Sequence, residues 1–150
     1  MTDTFIEHFN ALCLAKRFEQ IIDAVPYAKL IGMRVQEDEE GDLLFLLPFD
    51  EKNIGNTALP ALHGGVIGGF LENAALLHLM YQRHAPAIPK IINFSLDYLR
   101  SGRSKELFAQ CEITKQGKRV VHVLIEAWQE SRCKPVAVAR AHFLLPTSVG

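Results

Sequence analysis

The stretch "PALHGGVIGGFLENAALLHLM", residues 60–80, decides the fold, because its apolar residues recur with the period of one long helix. Four glycines crowd the first turns of this helix: Gly64, Gly65, Gly68 and Gly69. Each glycine inside a helix costs roughly 0.8–1 kcal/mol relative to alanine. The glycines therefore weaken the start of this helix, and either packing or function should explain their presence.

The pattern around this stretch predicts the order of the other elements. The helix is expected to run from about residue 63 to about residue 83, where the prolines of "HAPAIP" end it. Upstream, residues 3–25 carry a moderate helical pattern that Pro26 interrupts. The segment "MRVQEDEEGDLLFLLPF" then predicts two strands joined by an acid-rich turn around Gly41.

Beyond the long helix the apolar period changes to two, as in "IINFSLDYLRS" and "LFAQCEIT". This alternation predicts three or four strands in an antiparallel meander, so the fold class is α+β with one main sheet and one dominant helix. Ala137, Ala139 and Ala141 share one face of the last strand. We expect this row to let the glycines of the helix approach the sheet closely.

Composition narrows the class of protein. The chain has 150 residues, 49% of them hydrophobic, and a net charge of -1, which predicts a single globular domain over residues 1–150 with no affinity for nucleic acid or membrane. We find no signal peptide and no apolar run of the ~20 residues that a membrane span requires. Cys13, Cys111 and Cys133 lack CxxC spacing, which favours reduced thiols and a cytoplasmic location. The histidines show no metal-ligand spacing, so no metal is expected.

An isolated acid lies on the long helix. At 100° per residue, Glu72 shares a stripe with Gly65, Gly68, Ala75 and Leu79, and no basic residue lies one turn away. A surface acid or a distant arginine partner would be a neutral explanation. The helix is apolar on nearly every side, however, and burial would raise the pKa of the carboxylate toward that of a general base.

The start of the helix offers a complementary group. Backbone N–H groups in a first helical turn have no intrahelical acceptor, and a Gly-Gly pair there lets a substrate carbonyl reach them, as in an oxyanion hole, although close packing explains such a pair equally well. Gly65 and Glu72 are seven residues apart, about 10 Å along the axis at ~1.5 Å per residue. One carbonyl can hardly contact both groups of one chain, so the chemistry predicts a dimer with two composite sites.

"LHGGVIGGFLENAALLHL" followed by "FSLDYLRSGR" resembles the hotdog-fold acyl-CoA thioesterases of the phenylacetyl-CoA (PaaI-type) and 4-hydroxybenzoyl-CoA type. The shared pattern is HGG, an acid nine residues after the histidine, and a later strand that ends in Tyr-Leu-Arg. The resemblance covers roughly residues 26–145. It implies a hotdog fold, in which an antiparallel sheet wraps around the long helix, here with an extra N-terminal helix.

The resemblance also implies an activity, which is hydrolysis of acyl-CoA by a homodimer or a dimer of dimers, with no cofactor beyond the CoA of the substrate. Gly64 would donate the oxyanion N–H and Gly65 would support the turn. Glu72 would be the base or nucleophile. Asn56, or more weakly Asn53, would orient substrate or water, and His63 would hold the loop.

Two features leave the subtype and the substrate contacts open. The supporting Ser or Thr of some family members is absent, since Leu76 and Lys90 stand at those positions. Arg100, Arg103 and Lys105 form a basic cluster that is either a solvated turn or a contact for the CoA phosphates. An alternative function is a non-catalytic acyl-CoA-binding or sensing protein on the same fold.

Overall fold

The computed structural model describes residues 2–84 and 86–146, and its centre is one long helix. This helix, α4, spans Gly64–Arg83, as the apolar period predicts. It ends at His84, whose backbone is left-handed with a φ of 46°, directly before the proline-rich segment. Its buried residues include Phe70, Leu71 and Ala74, which are fully covered by the rest of the chain.

Three short helices precede the sheet, where the sequence predicts one interrupted helix. They are α1 (Thr2–Leu14), α2 (Phe18–Asp23) and α3 (Pro26–Ile31). Pro26 does not interrupt a helix. It stands in the first turn of α3, where its missing N–H would have no partner in any case. Within this N-terminal region α1 packs on α2, and both α1 and α3 contact α4.

The described residues contain eight strands, numbered here in chain order. Six form the main antiparallel sheet: β1 (Arg34–Glu37), β2 (Leu43–Leu47), β5 (Lys90–Tyr98), β6 (Leu107–Gln116), β7 (Val120–Trp128) and β8 (Ala137–Leu144). The other two, β3 (Ile54–Asn56) and β4 (Ala61–Leu62), form a small sheet in the loop before α4. Gly41 forms the predicted turn between β1 and β2 with a φ of 85°, a conformation that favours glycine.

The strand order corrects the predicted meander. The main sheet runs β1-β2-β6-β7-β8-β5, so β6, β7 and β8 do form a meander. The strand after α4, β5, crosses instead to the far edge and pairs with β8. A sequence pattern of period two shows which residues share a face of a strand, but it does not show which strand lies beside which. The sheet curves around α4, which contacts β2, β5, β6, β7 and β8.

The glycines of α4 meet the sheet at β5 and not at the row of alanines on β8. Ala137, Ala139 and Ala141 are buried, as expected. A Cβ on Gly68 would lie 3.4 Å from Leu96 of β5, while one on Gly69 would lie 2.6 Å from the ring of Tyr27 in α3. Gly68 therefore faces the sheet, and Gly69 faces a helix.

Candidate active site

The first turn of α4 leaves one backbone donor free. His63 precedes the helix, and its Nδ1 accepts a hydrogen bond from the N–H of Gly65 at 2.9 Å. The carbonyl oxygen of His63 accepts from the N–H groups of Val66 and Ile67. No acceptor within the described residues takes the N–H of Gly64. This N–H is the one that the family resemblance implies as the oxyanion donor, and the Gly65 N–H is used in capping the helix.

Tyr98, the last residue of β5, contacts the same turn. Its hydroxyl donates a hydrogen bond to the carbonyl oxygen of Gly64 at 2.7 Å. A Cβ on Gly64 would lie 3.3 Å from that hydroxyl oxygen, tighter than most side-chain contacts. This tyrosine begins the Tyr-Leu-Arg motif, from which no role for it is predicted. Nothing in the strand pattern shows that the end of β5 meets the start of α4.

The loop before the helix holds the two asparagines in different settings. Asn53 is buried, its side-chain N–H donates to the carbonyl oxygen of Ile31, and its backbone oxygen accepts from the N–H of His63. Asn56 is exposed, and its side-chain oxygen accepts from the N–H groups of Ala58 and Leu59 in a local turn. Asn53 thus ties the start of α4 to the end of α3, while the side-chain oxygen of Asn56 is occupied within its own loop.

The structure corrects the predicted burial of Glu72. Its side chain is exposed, although its helical neighbours Leu71 and Ala74 are fully buried. No hydrogen bond or ion pair to its carboxylate forms within residues 2–84 and 86–146. On the helix face that Glu72 shares with Gly65 and Ala75, residues are exposed near the start of α4 and buried near its end. Apolar composition alone could not show this, because the sheet covers the helix unevenly along its length.

A groove lies at the start of α4. We call it the glycine groove because Gly64 lines it; it has a volume of about 400 Å³. Its lining comes from β4, the start of α4 and the segment after β5: Ala61, Leu62, Gly64, Ile67, Tyr98, Leu99, Arg100, Ser101 and Gly102. The segment that follows β5 is held beside β4 by a hydrogen bond, which the N–H of Leu62 donates to the carbonyl oxygen of Gly102.

A second groove, the basic groove, adjoins the first and shares two lining residues with it, Arg100 and Ser101. Its volume is about 340 Å³. Its lining is mostly polar and cationic: Arg100, Ser101, Arg103, Lys105, Gln129, Glu130, Ser131, Lys134 and Val136. The predicted basic cluster therefore lies together, and the structure adds Lys134, which comes from the β7–β8 turn and is distant in sequence.

The cations of the basic groove differ in how they are held. Lys105 pairs with Glu130, and Nη1 of Arg100 donates to the carbonyl oxygen of Pro135 at 2.8 Å. The hydrogen bond from Lys105, with the charges of Lys105, Arg103 and Lys134, lowers the pKa of Glu130, so its carboxylate stays ionised. Four cations against one acid leave the groove positive, which suits an anionic ligand.

The remaining cationic and thiol side chains of interest lie away from this region. Lys118 and Arg119, the other adjacent basic pair in a hairpin turn, stand between β6 and β7, at the opposite end of the sheet from Tyr98. The three cysteines form no disulfide, and burial raises the pKa of the Cys13 thiol to about 11. In the described part of the chain, no three His, Cys, Asp or Glu side chains lie close enough to hold a metal. No helix there is long and apolar enough to span a membrane.

Comparison with known proteins adds independent findings. The model of the thioesterase superfamily matches residues 59–149. The chain is 25% identical over 140 residues to YigI of Escherichia coli K12, a medium/long-chain acyl-CoA thioesterase, covering 85% of this chain and 90% of that protein.

Solved structures agree on the fold. A crystal structure from Chromobacterium violaceum is 59% identical, covers 96% of this chain and 99% of its own, and superposes with a TM-score of 0.81. A Bacillus halodurans protein solved with CoA is 22% identical, covers 98% of this chain and 95% of its own, and has a TM-score of 0.72. The predicted hotdog fold and the predicted enzyme class, thioester hydrolase, are confirmed, while the phenylacetyl-CoA subtype stays a prediction. With 91 of its 150 residues matched by the family model, the chain belongs to the thioesterase superfamily.

Proposed function

We propose that this protein hydrolyses acyl-CoA thioesters to a free acid and CoA. One observation carries the proposal: Gly64, whose N–H has no acceptor among the described residues, lines a groove that continues, through Arg100 and Ser101, into a groove rich in cations. A CoA thioester has the matching layout, since its carbonyl group is uncharged and its nucleotide end carries several phosphates. The thioester carbonyl would lie at Gly64 and the phosphates along Arg100, Arg103, Lys105 and Lys134.

The proposed reaction needs water and no cofactor. Glu72, acting as base, takes a proton from water while the water oxygen attacks the thioester carbon. The carbonyl oxygen becomes an oxyanion that the N–H of Gly64 stabilises, and the C–S bond then breaks to release the CoA thiolate, which takes up the proton. Direct attack by the Glu72 carboxylate, followed by hydrolysis of the anhydride, gives the same products. His63 and Gly65 hold the turn, and Asn53 and Asn56 shape the loop before it.

The site is proposed to be shared between two chains. Among the described residues β5 pairs only with β8, so its other edge is open, and Ile92 and Tyr98 on it are 57% and 55% exposed. Antiparallel addition of the partner's β5 would continue the sheet and bring the two α4 helices side by side. Glu72 of one chain, exposed here, would then face the partner's first helical turn. Two such dimers would form the expected dimer of dimers, and the free thiols fit a cytoplasmic enzyme.

Release of free thiol from a panel of aryl and aliphatic acyl-CoAs tests this proposal. The wild-type protein should release thiol from at least one of them, and Glu72→Gln should slow release by roughly 100-fold or more. Glu112→Gln, which changes an exposed acid on β6, is the matched control and should keep the wild-type rate. Binding of the panel without any thiol release would favour the acyl-CoA-binding alternative, and equal rates for wild type and Glu72→Gln would show that Glu72 is not the catalytic acid.

A further inference from the structure

We propose that Tyr98 is a positioning residue for the oxyanion donor, acting through the peptide group between Gly64 and Gly65. This inference rests on the proposed function, because it concerns how the N–H of Gly64 is aimed. It adds a residue from a different element, β5, to a site otherwise built from α4 and the loop before it.

Both ends of that peptide group are held by side chains. The hydroxyl of Tyr98 donates to the carbonyl oxygen of Gly64 at 2.7 Å, and the N–H of Gly65 donates to Nδ1 of His63 at 2.9 Å. The two contacts lie on opposite edges of one planar group, so together they fix its rotation about the chain. The helix itself supplies one hydrogen bond to the carbonyl oxygen of Gly64, from the N–H of Gly68, and Tyr98 adds a second from a different element.

Fixing this peptide matters because glycine has no side chain to restrict it. Gly64 and Gly65 can adopt more backbone conformations than residues with a side chain, so contacts from outside the turn can add to its order. The N–H of Gly64 belongs to the preceding peptide group, and the two backbone dihedrals of Gly64 relate its direction to the peptide group that Tyr98 contacts. An oxyanion donor acts through its preorganised direction, and small misplacements are costly.

The arrangement also explains why residue 64 lacks a side chain. A Cβ there would lie 3.3 Å from the hydroxyl oxygen and 3.4 Å from the adjoining ring carbon of Tyr98. A side chain at residue 64 would require the hydroxyl of Tyr98 to shift by a few tenths of an ångström. Glycine at 64 and tyrosine at 98 therefore form one packing unit, which joins the end of β5 to the start of α4.

Tyr98→Phe removes the hydroxyl and keeps the ring. We expect kcat for the best acyl-CoA to fall about 10-fold while KM changes less than about two-fold, because the donor is misaimed but the substrate contacts remain. Tyr81→Phe is the matched control. It removes a tyrosine hydrogen bond of 3.2 Å to Glu37 at the other end of α4, and it should leave kcat unchanged. An unchanged kcat in Tyr98→Phe, or a loss of activity that only parallels a loss of folded protein, would overturn the proposal.

Amide exchange provides a readout that does not depend on activity. In ¹⁵N-labelled protein, the amide proton of Gly65 should exchange faster in Tyr98→Phe than in wild type, and Tyr81→Phe should leave it unchanged. Identical exchange in all three proteins would show that the tyrosine does not hold the peptide. If the wild type hydrolyses no thioester, the proposed function fails on that result alone, while the exchange experiment still decides whether Tyr98 holds the turn.

Discussion

At the scale of single residues, Gly64 allows the oxyanion donor to be tested without disturbing the helix. It is the first helical residue, where proline is tolerated, and His63 before it has a ψ of 126°, which suits a residue preceding proline. Gly64→Pro deletes the N–H, and Gly64→Ala adds a Cβ at the same place but keeps the N–H.

We therefore expect Gly64→Pro to lower kcat by roughly 100- to 1,000-fold, the usual cost of losing one oxyanion donor. Gly64→Ala should lower it far less, and steady-state thiol release measures both. Both variants displace the hydroxyl of Tyr98, so the difference between them isolates the N–H. Equal losses in the two variants would assign the effect to the Cβ and not to the donor.

A second residue-scale prediction concerns His78, which lies in the buried half of α4. Its Nδ1 has no hydrogen-bond partner in the described part of the chain. Burial lowers the pKa of its imidazole, and the carboxylate of Asp42 opposes this only in part. The unfolded chain, with an ordinary pKa of about 6.5, takes up a proton first as the pH falls.

The free energy of unfolding should therefore be highest above about pH 7 and fall as the pH drops through about 6.5 toward the lower pKa of the folded state. Urea denaturation at several pH values measures this. His78→Leu should flatten the acid side of the curve, while His8→Gln, at an exposed histidine, should not. The pKa of His122 is also lowered by burial and contributes with the same sign, so the difference between wild type and His78→Leu gives the part due to His78. An unchanged slope in His78→Leu would contradict the prediction.

At the scale of elements, two glycines inside α4 differ in how much room their surroundings leave for a side chain. A Cβ on Gly69 would lie 2.6 Å from a ring carbon of Tyr27, closer than side chains approach one another. A Cβ on Gly68 would lie 3.4 Å from Leu96, which is an ordinary contact. Both positions are inside the same helix, where alanine gains up to about 1 kcal/mol over glycine.

Gly68→Ala should then stabilise the protein by up to about 1 kcal/mol, and Gly69→Ala should stabilise it less or not at all, because the ring of Tyr27 must shift to admit the new Cβ. Thermal unfolding at one protein concentration compares the two. In a Tyr27→Ala background the ring is absent, so the difference between the two alanine variants should shrink. The opposite order of the two single variants would contradict the prediction.

At the scale of the whole molecule, the separation between the donor and the acid predicts a composite site. Gly64 and Glu72 are eight residues apart in one helix, about 12 Å along its axis at ~1.5 Å per residue. A heterodimer of one Gly64→Pro chain and one Glu72→Gln chain, co-expressed with two different tags and purified through both, tests this. One of its two sites then pairs an intact Gly64 with an intact Glu72 from the other chain.

We expect this heterodimer to have about half the wild-type activity per dimer, although each parent homodimer is nearly inactive. Its rate of thiol release provides the measurement, with doubly tagged wild-type dimer as the reference. If each site lay within one chain, both sites of the heterodimer would carry a lesion, and it would be as inactive as its parents.

Much of the fold could be predicted from the sequence because it depends on local pattern. The bounds of α4, the turn at Gly41 and the strands from residue 90 onward follow from period, proline and glycine placement. The same local information explains why His63 can cap α4 and why the N–H of Gly64, in the first turn, has no acceptor within the helix. The motif around these residues is also what links the chain to its family. These features need no knowledge of distant contacts.

The tertiary structure decided what depends on contacts between distant segments. It placed β5 beyond β8, brought Tyr98 to Gly64 across 34 residues, and added Lys134 to the basic groove. It also left Glu72 exposed on a helix that its composition predicts to be buried. The physical reason is that burial and strand order follow from how the sheet curves around α4. The sequence determines which residues can form the site, and the packing of the sheet on the helix determines which of them meet.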